Sequence, residues 1–193
     1  MNQDQCEACS KKMPSFDTVH YGSIDQGYRL LCTQCFNTEV IKQSGLDDFE
    51  NIQLEPIGLT DCSGEKHQFH FRTRLLGKMV SLEAFELRKG DPAGYQFQFL
   101  GKPDDDLFGL LAQLILRIRK ALSEKHIEDS DYGYSLINSL VRGRIEWDPE
   151  QDGRVPIMVI DGREISWEEF GRLLMTREGS PFKLEIFDPS DEV

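Results

Sequence analysis

Four cysteines stand in two C-x2-C pairs, Cys6 and Cys9 in "CEAC" and Cys32 and Cys35 in "CTQC", with 22 residues between the pairs. The remaining cysteine is Cys62. Each pair lets two thiolates converge on one ion from a tight turn. Two pairs supply four sulfurs at the corners of a tetrahedron, the closed geometry of a structural zinc site. The expected ligands are therefore Cys6, Cys9, Cys32 and Cys35, and the expected cofactor is one structural Zn2+. The alternative is four free or redox-active thiols. Equal spacing in both pairs, and a hairpin-sized gap between them, favour the metal.

A hairpin and a helix must position these sulfurs. "FDTVHYG" (16–22) and "GYRLLC" (27–32) read as strands joined by the turn "SIDQG". "FNTEVIKQSG" (36–45) carries Phe36, Val40 and Ile41 at helical spacing and stops at Gly45. The second pair then sits at a helix N-terminus, where the dipole and free N–H groups stabilise thiolates. The expected exposed face of that helix holds Asn37, Thr38, Lys42 and Gln43.

Knuckle, hairpin and knuckle running into a helix resembles a treble-clef zinc finger over residues 6–45, and "LLCTQCFNTEV" resembles the second half of GATA-type fingers. A zinc ribbon, with a third strand in place of the helix, stays open. The GATA resemblance implies DNA contacts made by basic residues on the helix and in the tail beyond it. Here residues 1–45 hold four Lys/Arg against five Asp/Glu, and the following segment, "LDDFE", is acidic. Phosphate neutralisation needs cations that this module lacks, so duplex DNA is not an expected partner. A module this small cannot bury a self-sufficient core, and ligation worth roughly 10–16 kcal/mol decides whether it folds.

Beyond a polar connector at 46–51, residues 52–193 read as an α+β domain, giving three segments: 1–45, 46–51 and 52–193. The fold class is α+β, a small treble-clef-like finger followed by a mostly antiparallel sheet packed with two principal helices. Strands are expected at 52–59, 67–76, 79–87 and 94–101. A helix follows "DDD" (104–106), with Leu107, Leu110, Leu111, Leu114, Ile118 and Leu122 in one stripe. "VRGRIEWD" and "VPIMVIDG" read as strands joined by "PEQDGR", and "DGRE" as a turn. Ser166 and Glu169 form a capping box for a helix with Trp167, Phe170 and Leu174 on one face, and "FKLEIFD" (182–188) reads as a closing strand. The zinc-independent strand and helix patterns predict that the larger domain folds without the finger. "IDGREISWEEFGRLLMTREG" resembles the end of uncharacterised bacterial proteins that carry an N-terminal zinc finger, which implies no activity.

Other chemistry is weak. His67 and His70 are separated by an odd number, so on a strand they face opposite ways, which opposes shared coordination of one ion with Cys62. No phosphate-binding glycine loop, G-x-S-x-G or H-E-x-x-H motif is present, and the reading leans away from an enzyme. The net charge of −12 opposes nucleic acid and anionic membranes. No apolar run is long enough to span a bilayer, and no secretory signal opens the chain, so a cytoplasmic location is expected. The partner expected is a protein. The alternative is a nucleic-acid-associated protein using the zinc module or a local basic patch of Arg72, Arg74, the basic end of the long helix, Arg142 and Arg144.

Overall fold

The computed structural model describes residues 3–25, 27–46, 49–131, 133–148 and 151–188. Gln26 of the first turn, residues 47–48 of the connector and 149–150 of "PEQDGR" lie outside them.

Two antiparallel hairpins and a helix build the N-terminal module. Strands β1 (Gln3–Gln5) and β2 (Lys12–Pro14) flank the first cysteine pair. Strands β3 (Thr18–Ser23) and β4 (Gly27–Cys32) pair with Thr18 opposite Cys32. Helix α1 (Thr33–Ser44) begins directly after Cys32 and ends on Gly45, whose φ of 63° is the left-handed stop that glycine adopts without strain.

A four-stranded antiparallel sheet follows in the order β5-β6-β7-β8. Strand β5 (Ile57–Thr60) is shorter than the 52–59 expected, because Pro56 has no N–H to give to a ladder. Strands β6 (Lys66–Leu76), β7 (Met79–Arg88) and β8 (Asp91–Gly101) are long. The loop between β7 and β8 is only Lys89 and Gly90, both at positive φ, so β8 starts at Asp91 rather than at the expected residue 94. Helix α2 (Leu107–Leu122) starts where the Asp106 side chain accepts from the Phe108 N–H at 3.1 Å. Its stripe packs on Phe69, Leu82 and Ala84 to make the main core.

The last third contains hairpin β9 (Ile127–Ser130) and β10 (Gly133–Leu136), which the sequence reading passed over. A three-stranded antiparallel sheet follows, β11 (Arg144–Trp147), β12 (Pro156–Ile160) and β13 (Arg163–Ser166), with β11 at one edge. Only Asp161 and Gly162, both at positive φ, form the turn, so the Arg163–Glu164 half of "DGRE" belongs to a strand. Helix α3 (Trp167–Met175) carries the expected capping box. It buries Leu173 on Ile160 and Ile165, whereas Trp167 and Leu174 are about half exposed, which corrects the expected apolar face. Residues 182–188 form no strand, and every side chain from Phe182 to Asp188 is exposed. Alternation alone does not make a strand; an edge to pair with is also required.

The finger does not stand apart. Strand β5 pairs only with the beginning of β6, so the outer edge of β6 beyond Phe69 is left for α1. Asn37, expected on an exposed face, is fully buried there. Its Nδ2 donates to the Thr73 carbonyl at 2.8 Å, and its Oδ1 accepts from the Leu75 N–H at 2.9 Å. One side chain thus does for this edge what a neighbouring strand would do. Val40 packs with Leu75 and Val80 beside it, and Phe16 stacks edge-on against His70 and Phe85 on the opposite face of the sheet. The finger and the larger domain thus share a cluster of packed side chains.

Candidate metal centre

The hairpin register and the helix start determine where the four sulfurs meet. The β1–β2 connection turns Cys6 and Cys9 inward, with the Cys6 N–H donating to the Lys11 carbonyl at 3.0 Å. The Glu7 N–H donates to the Leu30 carbonyl at 2.9 Å, which ties the first knuckle to β4. Cys32 closes β4 and Cys35 lies in the first turn of α1.

The four Sγ atoms lie within 4.8 Å of one another, and Cys9 Sγ is 3.9 Å from Cys32 Sγ. A tetrahedron with metal–sulfur bonds of about 2.3 Å has edges of about 3.8 Å, so the spacing fits. All five cysteines are free thiols. Cys6 and Cys32 are buried, and the Cys32 N–H donates to Cys6 Sγ at 3.3 Å. Burial pushes the Cys6 thiol up, but the backbone N–H groups of Cys32, Cys9 and Ala8 outweigh it and bring it down to about 6. Burial, then the neighbouring sulfurs of Cys32, Cys9 and Cys6, push Cys35 up. Four sulfurs this close cannot all ionise without a cation between them, and a divalent ion removes that conflict. The four cysteines are positioned to bind a metal ion, and their donor set is compatible with zinc.

Asp61, Glu65 and His67 form a second group of potential ligand atoms within 4.8 Å. Its cation is already supplied by the protein. Lys125 Nζ lies 2.6 Å from Asp61 Oδ2, and the Asp61 side chain is wholly buried. Asp61 Oδ1 accepts from the Ser63 N–H and Oγ and from the Glu65 N–H. Both His67 ring nitrogens face carboxylates, Glu86 at 2.8 Å and Asp61 at 3.3 Å. Burial pushes the Asp61 carboxyl up, but Lys125, Ser63, the Glu65 N–H and His67 outweigh it and hold it well below the usual carboxylate range. Asp61 and His67 are thus engaged by protein partners, while the exposed Glu65 carboxylate lies 3.9 Å from Lys125 Nζ. His70 points away to Phe16 and Phe85, and Cys62 is exposed. Glu86 and Lys125 carried no signal in the sequence, because β7 and the end of α2 bring them from 19 and 58 residues beyond His67.

The basic patch is likewise spent internally. Arg72 and Arg74 both hold Glu83, through Nε at 2.9 Å and 3.2 Å. Arg142 pairs with Glu124, and Arg144 with Glu146. Of the acid triplet, Asp105 accepts from the Lys102 N–H and Asp106 caps α2. Among the described residues no helix is long and apolar enough to cross a membrane.

Three family models match the chain, each covering less than half of it. Residues 5–47 are similar to a domain of unknown function (DUF7685), residues 50–123 to another (DUF7686), and residues 126–191 to a third (DUF7713). No curated protein and no solved structure matches.

Proposed function

We propose that this chain is a zinc-binding protein whose treble-clef-like four-cysteine site is structural and whose role is protein–protein contact, as an adaptor. The observation that carries the reading is the closed set of four sulfurs, whose second pair opens a helix clamped to β6 through Asn37. A site with four protein ligands keeps no corner for substrate, so its ion holds architecture rather than performs chemistry. What it holds up is the β3–β4 hairpin, whose tip presents Ile24, 91% exposed, and Tyr28. An exposed aliphatic and a tyrosine on a paired hairpin are anchors of the kind that protein interfaces use. Nucleic acid is disfavoured because Arg72, Arg74 and Arg142 are paired with Glu83 and Glu124. Free thiols are in keeping with a reducing cytoplasm.

Protein prepared without chelator should carry about one zinc per chain, lost in Cys32→Ser/Cys35→Ser. Capture from nuclease-treated native lysate should return the same protein partner with wild type and lose it with Ile24→Asp/Tyr28→Asp. Metal-free protein with an intact finger overturns the zinc reading. Capture that nuclease abolishes overturns the adaptor reading in favour of nucleic acid.

A further inference from the structure

Two exposed features of the last third fit each other. The first is β11, the edge strand of its sheet, whose single strand partner among the described residues is β12. Its side chains alternate: Ile145 and Trp147 are exposed, the latter by 67%, while Arg144 and Glu146 turn to the opposite face and pair with each other. Ile145 lies in register with Met158 and Ile165 on the face that α3 covers, but it remains about half exposed. The second is "FKLEIFD", which alternates in the same way. Phe182, Leu184 and Ile186 are all exposed, the first by 90%, and Lys183 and Glu185, between them in sequence, form an ion pair. A strand-like segment with unburied apolar side chains, beside an open sheet edge with the same deficit, is the requirement for strand addition.

The register is selected by charge. With the segment antiparallel to β11, one alignment sets Phe182 opposite Trp147, Lys183 opposite Glu146, Leu184 opposite Ile145 and Glu185 opposite Arg144. Every opposed pair is then apolar on apolar or cation on anion. Shifting by two residues sets Glu185 on Glu146 or Lys183 on Arg144, and parallel pairing either does the same or matches only one of the two ion pairs. A one-residue shift puts the apolar side chains on the wrong face. Like charges directly opposite are destabilising and opposite charges favourable, so only one register satisfies all four positions.

We infer that residues 182–188 of one copy add as a fourth strand to the β11 edge of a second copy, and that reciprocal exchange closes a symmetric homodimer. The segment forms no strand in its own sheet, whose order is β11-β12-β13, and a second copy presents the same edge in trans. A twofold arrangement lets each copy give one strand and receive one, leaving no open end for a chain of subunits.

The test uses the full chain in sedimentation velocity over a concentration series from below micromolar upward. The expected result is a monomer–dimer equilibrium. Leu184→Asp should abolish the dimer, and Lys183→Glu/Glu185→Lys should weaken it by about tenfold or more. Adding Arg144→Glu/Glu146→Arg to the second variant should restore it. Because Arg144 also donates to the Gly94 carbonyl, that rescue variant can fail to fold. A second measurement therefore stands beside it: a synthetic peptide of residues 180–188 should displace wild-type dimer into peptide-bound monomer, shifting the Arg144–Trp147 amides. A chain that stays monomeric at all concentrations overturns the inference, including one whose 182–188 amides are protected by folding back on its own sheet. So does a dimer that survives Leu184→Asp.

Discussion

Replacing Asn37 isolates the bond between the finger and the sheet. Asn37→Leu keeps the branched four-atom outline of the side chain, but three hydrogen bonds go: to the Thr73 carbonyl, from the Leu75 N–H and to Asn51 Oδ1. The Thr73 carbonyl and the Leu75 N–H are then left beneath α1 with an aliphatic group where their partner stood. Each orphaned buried group costs about 1–3 kcal/mol, so the loss should be about 3–5 kcal/mol, a large share of a stability of about 5–15 kcal/mol. Asn51→Ala is the control. It removes one of the three bonds and the donation to the Gln34 carbonyl at 2.8 Å, both partly buried, and should cost about 1 kcal/mol. Urea unfolding followed by circular dichroism gives the stability change, and hydrogen exchange gives its place, through lost protection of the Leu75 amide. If Asn37→Leu lies within about 1 kcal/mol of wild type, or Leu75 stays protected, then α1 merely leans on β6 and the edge-capping argument is wrong.

Chelation of the bound metal should melt α1 and also raise exchange at the Thr73–Val80 end of β6 and β7, while Phe69 and Leu82 under α2 stay protected; loss of protection confined to residues 3–46 would refute the shared core. Lys125→Met leaves the buried Asp61 carboxylate without its ammonium and should cost about 3–5 kcal/mol at pH 7, read from urea midpoints. Because the folded pKa of Asp61 is depressed, its contribution is complete above the unfolded value of about 4 and is lost as pH falls below that; the gap between wild type and Lys125→Met should therefore narrow at about pH 3. Truncation after Ser180 should leave the stability of the monomer unchanged within about 0.5 kcal/mol, since every side chain from Phe182 to Asp188 is exposed.

Local chemistry made parts of this molecule legible in the sequence. The equal cysteine spacings announced a cluster before any fold was known, the leucine stripe of 107–122 announced a helix on a sheet, and Ser166 with Glu169 announced the start of α3. What could not be read depends on partners distant in the chain. Asn37 looks like a surface residue until the β6 edge is known to end its pairing at Phe69. "FKLEIFD" has the alternation of a strand, but a strand is a relation between two segments, and nothing local says which edge is open. Lys125 and Asp61 give no pattern at all, since a buried ion pair needs only that two charges meet. Pro56 is the reverse case: its missing N–H was visible, and it shortens β5 to half of the run expected.

The Asn37 clamp also sets an order of events during synthesis. Both cysteine pairs have been made by residue 35, so the metal can be captured early, but the partners of Asn37 come 36 and 38 residues after it. At about 5–20 residues per second, the ribosome takes about 2–8 s to deliver them. For that interval Asn37 and Val40 on α1 lack the β6 and β7 residues that cover them in the finished fold. On the proposed zinc reading, the ion would keep that surface in shape until β6 arrives to cover it, and metal supply would matter most in the seconds before the rest of the protein exists.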